Sequence, residues 1–149
     1  METIGIWGAS SGRGSGIGRA IAAKLTGDAN ASVHLFGRSQ TKIEELRGDF
    51  VAIKGSFIWD LRDESKVEEY QRYLTKNNIQ TVINTVGVGI GHPLPFLTQT
   101  ELTEMVEANL ISPFMILKNS VLPLKQLGGG RVIMFGSITS LRAEEGACP

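Results

Sequence analysis

Residues 8–18 read Gly-Ala-Ser-Ser-Gly-Arg-Gly-Ser-Gly-Ile-Gly, and this stretch decides the fold of the chain. It follows a β-rich run from Thr3 to Trp7 and precedes a helical pattern that carries Ile17, Ile21 and Leu25 on one side. Glycines between a strand and a helix let a pyrophosphate approach the free N–H groups at the helix N-terminus. The stretch therefore predicts a dinucleotide-binding loop, and the lack of a Lys-Ser/Thr pair after the glycines excludes a Walker phosphate loop.

Strand-like and helix-like segments alternate along the remainder of the chain. The later strands are predicted at Ser32–Phe36, Phe50–Trp59, Thr81–Val86 and Arg131–Phe135. Helices are predicted after Ser39, after Asp63 and from a Thr98–Glu101 capping box to about Leu127. This alternation predicts an α/β fold with a doubly wound, Rossmann-like parallel sheet of about five strands. The 149 residues correspond to one domain, which we interpret as a dinucleotide-binding domain over residues 1–149.

The composition excludes several classes of protein. Fifteen Lys and Arg balance fifteen Asp and Glu, so the net charge of zero offers no basic excess for nucleic acid. No apolar run reaches the ~18 residues of a membrane span, and the first residues lack the profile of a secretory signal. The single Cys148 allows no internal disulfide. We expect a cytoplasmic protein that works without a membrane or a nucleic-acid partner.

The end of the second predicted strand bears on which dinucleotide binds. Residues 36–39 read Phe-Gly-Arg-Ser, so the position where an NAD-binding protein carries a carboxylate is Gly37 and the next residue is Arg38. A guanidinium group such as that of Arg38 can hydrogen-bond a 2′-phosphate, and Arg13 of the glycine loop offers a second guanidinium group. With Ser39 beside it, this segment favours NADP(H) over NAD(H). The alternative is a solvated surface arginine.

The glycine loop also resembles the cofactor loop of the short-chain dehydrogenase/reductase family, whose pattern is Thr-Gly, three residues, then Gly-Ile-Gly. Residues 8–11 and 16–18 match it, while Trp7 replaces the usual Thr and about three residues are inserted around residues 13–15. A second alignment of the glycine spacing starts at Gly12. The cofactor-binding residues assigned in this loop are Gly8, Ser10, Ser11, Arg13, Gly16, Ile17 and Gly18.

Two further segments are similar to family motifs that contact the cofactor. Asp60-Leu61 resembles the Asp-Val pair that meets the adenine ring, although an aspartate that only forms a turn is an equal alternative. Residues 84–87, Asn-Thr-Val-Gly, resemble the Asn-Asn-Ala-Gly motif in their first and last residues. The resemblance implies that Asn84 braces the sheet and that Val86 and Gly87 pack against the ribose of the cofactor.

The long predicted helix carries an asparagine before a proline. Pro113 lacks the N–H that would bond to the carbonyl of Asn109, so the helix is expected to bend there and to leave that carbonyl free. Residues 109–114 resemble the family run Asn-Leu-x-x-Pro-Phe, in which the asparagine holds a water of the proton relay. The alternative is a kinked core helix with a hydrogen-bonded asparagine. The face predicted to be buried, which also includes Asn109, consists of Leu102, Met105, Val106, Leu110, Phe114, Leu117 and Val121.

Residues 130–137 resemble the fifth strand of the family, which ends in the serine that hydrogen-bonds the substrate carbonyl. The resemblance assigns that role to Ser137, with a loop-capping serine as the alternative. A hydrolase is a poor reading because residues 135–139 do not match Gly-x-Ser-x-Gly.

The Tyr-x-x-x-Lys motif of the family is not found in these residues. It would begin about thirteen residues after Ser137, at position 150, whereas the sequence ends at Pro149. Four residues after Tyr70 and Tyr73 stand leucine and asparagine rather than lysine. We therefore expect a family fragment that ends just before this motif, with its sheet truncated on the C-terminal side.

The resemblance implies an NADP(H)-linked oxidoreductase that transfers hydride between nicotinamide and a small-molecule carbonyl or alcohol. Without the tyrosine and lysine, we expect this chain to be inactive alone. The alternative is a non-catalytic dinucleotide-binding or interaction module. An uncovered edge at residues 132–135 and an uncovered part of the long helix predict a homo-oligomer.

Overall fold

The structure is a computed structural model that describes residues 1–10, 16–89, 91, 93–138 and 141–142. Within these ranges the strands are β1 Glu2–Trp7, β2 Ala31–Gly37, β3 Ile53–Ile58, β4 Thr81–Asn84 and β5 Arg131–Met134. The α-helices are α1 Ile17–Thr26, α2 Gln40–Asp49, α3 Val67–Lys76, α4 Gln99–Val106 and α5 Ser112–Gln126. A π-helical segment, Glu107–Ile111, joins α4 to α5, and 3₁₀ turns occupy Glu64–Lys66 and Leu94–Phe96.

The strands form one parallel sheet in the order β3-β2-β1-β4-β5. This arrangement confirms the predicted doubly wound, Rossmann-like fold. The order changes direction at β1, which lies between β2 and β4 and pairs Trp7 with both Phe36 and Asn84 at its carboxyl end. In open α/β sheets, ligands bind in the crevice outside the carboxyl ends of the strands at such a switch point.

Alternate side chains of each strand point to opposite faces of the sheet, and the two faces differ in chemistry. The face under α1 and α2 is aliphatic, with Ile4, Ile6, Val33 and Leu35 in its core. The face under α3 and α5 is rich in rings. Its buried residues are Trp7, Phe36, Phe57, Trp59, Tyr70, Leu74, Ile79, Val82 and Ile116.

A chain of buried hydrogen bonds crosses the ring-rich face. The indole Nε1 of Trp7 donates to the hydroxyl of Tyr70 at 3.3 Å, and that hydroxyl lies 3.1 Å from Oγ of Ser120. Ser120 donates its own hydroxyl proton to the carbonyl of Ile116 at 2.7 Å, so Tyr70 must donate to Ser120. Trp7, which stands where the family has Thr, thus ties β1 to α3 and α5.

Caps predicted for two helices are present. The side chain of Ser39 accepts a hydrogen bond from the N–H of Lys42 and caps α2. Thr98 and Glu101 form the reciprocal capping box that begins α4. Among the described residues, no helix is long and apolar enough to cross a membrane.

The predicted buried face of the long helix is wrong except at Met105. Leu110 and Phe114 are 64% and 57% exposed, and the other predicted members, Leu102, Val106, Leu117 and Val121, are exposed as well. The residues of α5 that are buried instead are Ile116, Asn119, Ser120, Pro123 and Leu124. Asn119 and Ser120 are polar and donate hydrogen bonds to carbonyls four residues back in the same helix. Because of them, the buried face does not stand out as a hydrophobic pattern in the sequence.

The strand β5 lies at one edge of the sheet, as the sequence predicts. It pairs with β4 on one side only, and Ile133 is 41% exposed. Phe135 continues the pairing by donating its N–H to the carbonyl of Asn84 at 3.3 Å. The opposite side of β5 is therefore an uncovered strand edge in the described part of the chain.

Candidate dinucleotide-binding site

The turn after β1 requires glycine at two positions. Gly8 has a φ of +84°, and a Cβ atom there would lie 2.8 Å from the backbone N of Val86. A Cβ on Gly18 would lie 2.9 Å from Cα of Ala9, and nearer still to the Thr85 hydroxyl. Both glycines therefore allow the first turn of α1 to pack directly on the carboxyl ends of β1 and β4. These are the tight-turn and helix-packing roles that glycines have in a dinucleotide-binding loop.

The N-terminus of α1 fits an anion such as a pyrophosphate. Gly16 is the N-cap residue, with extended backbone angles and no side-chain cap. The N–H groups of the first helical turn have no partner within the helix, and together with the helix dipole they favour negative charge. Ile17, the first residue of α1, is 59% exposed. The N-cap glycine thus places no side chain of its own over these N–H groups.

The remaining predicted residues of the loop divide into two groups. Ser10 is half-buried, and its Oγ lies 3.2 Å from the position of a Cβ on Gly37, so it sits at the end of β2. Ser11 and Arg13 lie outside the described residues. The choice between the two alignments of the loop, starting at Gly8 or at Gly12, therefore stays open.

Charged residues gather where β2 and β3 end. Arg38 is exposed beside the cap of α2. Asp60 accepts hydrogen bonds from Nε and Nη2 of Arg62 at 2.9 and 2.6 Å. The Arg62 hydrogen bonds lower the pKa of Asp60 to about 2, and the charge of Arg38 contributes in the same direction. Leu61, the other predicted adenine contact, is half-buried against the ring-rich core.

Asn84 ends β4 and organises the loop that follows. It is buried, and its Oδ1 accepts a hydrogen bond from the N–H of Val86 at 3.0 Å. The next residue, Thr85, donates its hydroxyl to the carbonyl of Trp7 at 2.8 Å. Thr85 therefore ties the end of β4 to that of β1, and Asn84 orders the loop that follows, with Val86 half-buried and Gly87 exposed.

Asn109 is exposed, which corrects the prediction of a buried amide. Its side chain makes two hydrogen bonds to the backbone of Val88: Oδ1 accepts from N–H at 2.8 Å, and Nδ2 donates to the carbonyl at 2.9 Å. A Cβ on Gly87 would lie 3.3 Å from Oδ1 of Asn109. The asparagine thus fastens the loop after β4 to the π-helical segment Glu107–Ile111.

The structure has this π-helical segment before Pro113, where the sequence predicts a bend. The N–H of Ser112 donates to the carbonyl of Glu107, five residues back. π-helical turns occur mostly as single turns inside α-helices, and here the proline supplies no N–H to the carbonyl of Asn109. The helix therefore changes geometry at the residue that contacts the loop after β4.

Ser137 follows β5 and is exposed. Because β4 and β5 are parallel and adjacent, it lies beyond the same edge of the sheet as Asn84. Both described tyrosines lie on α3, in or against the ring-rich core. Burial raises the pKa of Tyr70 to about 12, and burial also raises the pKa of Tyr73, whose hydroxyl lies 2.9 Å from Nδ1 of His34.

Sequence reasoning missed three contributors to this edge: Thr85, Arg62 and the backbone of Val88. A signal was available for Arg62, since Asp60 and Arg62 stand two residues apart with opposite charge after a strand. The contacts of Thr85 and Val88 depend on which segments the fold brings together, so the sequence offers no signal for them.

Comparisons with known proteins agree with this geometry. The family model described as short chain dehydrogenase matches residues 9–149. The chain belongs to the short-chain dehydrogenase family. A 3-oxoacyl-(acyl-carrier-protein) reductase of Buchnera aphidicola is 29% identical over 140 residues, covering 91% of this chain and 56% of that protein. Human 17-beta-hydroxysteroid dehydrogenase type 1 is 24% identical over 139 residues, covering 88% and 42%. The chain thus spans about half the length of these curated relatives.

Solved structures share the fold. A serine dehydrogenase from Escherichia coli superposes with a TM-score of 0.82 at 19% identity, over 97% of this chain and 65% of that one. An actinorhodin polyketide ketoreductase variant crystallised with NADPH gives a TM-score of 0.78 at 23% identity, over 98% and 57%. At these identities the likeness concerns the fold alone.

Proposed function

We propose that this chain is the dinucleotide-binding domain, over residues 1–149, of an NADP(H)-linked oxidoreductase. The observation that carries the proposal is the turn at Gly8 and Gly18, which lays the N-terminus of α1, with its glycine N-cap, against the switch point of the sheet. Such a site takes the pyrophosphate of a dinucleotide. When bound, a nicotinamide dinucleotide supplies hydride transfer to or from a carbonyl or alcohol carbon.

Each predicted residue has a proposed task in that complex. The backbone around Gly8, Gly16 and Ile17 binds pyrophosphate, together with Ser10 and Ser11 of the same loop. Arg13 joins Arg38 at the 2′-phosphate. Asp60 and Leu61 meet the adenine. Val86 and Gly87 border the ribose, on a loop that Asn84 and Asn109 hold in place.

NADP(H) is preferred over NAD(H) in this proposal because of Arg38. The position that would carry a carboxylate for the ribose 2′-OH is Gly37, and the exposed guanidinium of Arg38 follows it. A charge-assisted hydrogen bond to phosphate contributes ~1.5–3 kcal/mol, or roughly tenfold to a hundredfold in affinity. We expect NADPH to bind more tightly than NADH and Arg38→Ala to remove most of that difference. Equal affinities of the unmodified chain for the two cofactors would contradict the preference.

The proposed reaction needs a carbonyl-orienting group and a proton donor. Ser137 takes the first role, and Asn109 holds the relay water of the second, while the family's tyrosine and lysine are not among these 149 residues. Positioned acid–base groups contribute ~10²–10⁴-fold to rate. We therefore expect the chain alone to oxidise NADPH very slowly with any member of a ketone panel, and robust turnover would contradict this.

The second candidate is a non-catalytic dinucleotide-binding or interaction module. The specific observation in its favour is that both described tyrosines have raised pKa values and are engaged elsewhere. Both candidates predict cofactor binding, so binding does not separate them. Reading the encoding DNA beyond the codon of Pro149 does: an in-frame Tyr-x-x-x-Lys favours the enzyme, and a stop codon favours the module.

We also propose a homo-oligomer, acting in the cytoplasm on a small-molecule carbonyl or alcohol. Its interface is the outer face of α4 and α5, which exposes an apolar stripe through Leu110 and Phe114. Charge supports an antiparallel arrangement of two copies of this helix. Acidic residues lie in its first half and lysines in its second, namely Glu101, Glu104, Glu107, Lys118 and Lys125.

A further inference from the structure

The carboxylate of Asp60 lies where the adenosine end of the proposed cofactor would bind, and it is paired with one particular arginine. Arg62 holds Asp60 through two side-chain hydrogen bonds, from Nε at 2.9 Å and from Nη2 at 2.6 Å. The backbone N–H of Arg62 adds a third at 3.1 Å. Both oxygens of the carboxylate are thus turned toward the guanidinium group.

The same guanidinium reaches the π-helical segment. Nη1 of Arg62 lies 3.9 Å from Oε2 of Glu107. With Arg38 at the end of β2, charges alternate in sign along this edge: Arg38, Asp60, Arg62, Glu107. The Asp60 side chain is 40% exposed, so a ligand arriving from solvent would come near its charge.

The Asp60–Arg62 pair reduces the repulsion that a 2′-phosphate would otherwise meet at this edge. A phosphate held by Arg38 carries close to two negative charges and would sit near the Asp60 carboxylate, which stays ionised at neutral pH. Like charges brought together at a binding site cost affinity and reject the ligand that carries them. NADH lacks this phosphate and does not meet the repulsion. A cation bonded to Asp60 cancels most of it.

We propose that Arg62 is a positioning residue for cofactor selection, which neutralises Asp60 and turns its carboxylate away so that Arg38 can bind the 2′-phosphate of NADP(H). This inference rests on the proposed function. Arg62 acts through Asp60 rather than by touching the phosphate. Its removal therefore changes the ratio of NADPH to NADH affinity, whereas damage to the whole site would weaken both cofactors alike.

The test is a fluorescence titration of the full chain with NADPH and with NADH at low ionic strength. Arg62→Ala is expected to weaken NADPH binding by roughly tenfold and NADH binding by less than about twofold. Arg131→Ala is the matched control, because Arg131 pairs with Glu2 at 2.7 Å and is 66% exposed, against 64% for Arg62. It lies at the amino end of β5, at the opposite edge of the sheet, so its loss should leave both affinities unchanged.

Two further variants distinguish charge from structure. Asp60→Asn combined with Arg62→Ala removes the uncompensated carboxylate and should restore the NADPH to NADH ratio of the unmodified chain. Arg62→Lys keeps the positive charge and should keep most of the ratio. High salt should shrink the effect of Arg62→Ala, since exposed charges are screened within ~3 Å at 1 M. Thermal unfolding of each variant checks that the fold is retained.

Several results would overturn the proposal. If Arg62→Ala lowers both affinities equally, or if the double variant fails to restore the ratio, Arg62 does not act on cofactor choice through Asp60. If the unmodified chain binds neither cofactor, the proposed function itself fails. If it binds both and the Arg62 variants leave the ratio of the two affinities unchanged, the proposed function stands and this inference falls.

Discussion

The two sides of the sheet make a direct comparison: in the described part of the chain β1 and β2 are covered on both faces, whereas β5 and the outer face of α4 and α5 are not. Nearly every residue of β1 and β2 is buried, but the residues of β5 are exposed or half-buried. The covered side carries close glycine packing and a complete chain of buried hydrogen bonds. The covered side is thus stabilised by its own contacts, and the open side has the apolar surface that another molecule or segment would cover.

The largest expected effect is on the covered side, at the glycine turn. Gly18→Val should lower the free energy of unfolding by about 3 kcal/mol, because its Cβ would meet the backbone of Ala9. It should also abolish cofactor binding, since α1 could no longer approach the strand ends. Chemical denaturation and a nucleotide titration measure the two effects.

Gly48→Ala is the matched control for this change. Gly48 lies in α2 with no atom within 4 Å of an added Cβ, so the substitution should stabilise the chain by ~0.5–1 kcal/mol. A tolerated valine at position 18 would show that the helix does not pack as closely as described.

The second prediction concerns the buried hydrogen bonds of the covered side. Tyr70→Phe leaves the indole N–H of Trp7 without an acceptor and should lower the free energy of unfolding by about 2 kcal/mol. Tyr73→Phe should cost less, because Tyr73 is only half-buried and water can replace its hydroxyl at His34. Equal losses for the two variants would argue against the special role of the network.

The buried hydroxyl of Tyr70 should also make the stability of the chain depend on pH. Burial raises the pKa of Tyr70 to about 12, above the ~10 of an unfolded tyrosine, so the native state holds this proton more tightly. The resulting stability is fully present below pH ~10 and is lost as the pH rises from there through the folded pKa. The free energy of unfolding of the parent chain should fall over this pH range, and that of Tyr70→Phe should fall less. Chemical denaturation at a series of pH values measures both.

The third prediction moves to the open side. Leu110→Glu should leave the free energy of unfolding within ~0.5 kcal/mol, because the side chain is exposed. It should nevertheless raise the dissociation constant of the proposed oligomer by roughly tenfold or more, since a charge would enter the apolar stripe. Light scattering over a concentration series measures this. Val51→Glu, at another exposed apolar residue, is the control, and association that both variants leave intact would contradict the interface.

The smallest expected effect is at the contact between Asn109 and the backbone of Val88, which joins the long helix to the loop after β4. Asn109→Ala removes both hydrogen bonds to Val88 and should cost about 1 kcal/mol, because the site is exposed and water compensates in part. The amide of Val88 should then exchange its hydrogen faster. Asn109→Asp keeps the accepting oxygen and should preserve most of the protection, so equally fast exchange in both variants would contradict the described contact.

The same comparison separates what the sequence predicts from what it does not. The strands, the caps at Ser39 and Thr98 and the placement of the glycine loop follow from local patterns, and the structure confirms them. The predicted buried face of the long helix is wrong because this helix has two faces with apolar residues. The one that packs on the sheet contains Asn119 and Ser120, whose polar side chains bond back to their own helix.

The candidate site shows a similar division. The irregular geometry before Pro113 follows from its missing N–H, but the exposure of Asn109 depends on which face of the helix meets the sheet. Likewise, the sequence singles out Asp60 but not its pairing with Arg62, because the conformation of the loop after β3 decides which cation reaches the carboxylate.

The central claim is that a nicotinamide dinucleotide binds at the carboxyl ends of β1 and β4. The most direct measurement is the amide NMR spectrum of the chain during titration with NADPH. We predict shifts at Gly8, Gly18 and Val86, and none at Gly128 and Gly129, which lie between α5 and the amino end of β5. Shifts confined to the amino edge of the sheet, or no shifts at saturating NADPH, would contradict the claim.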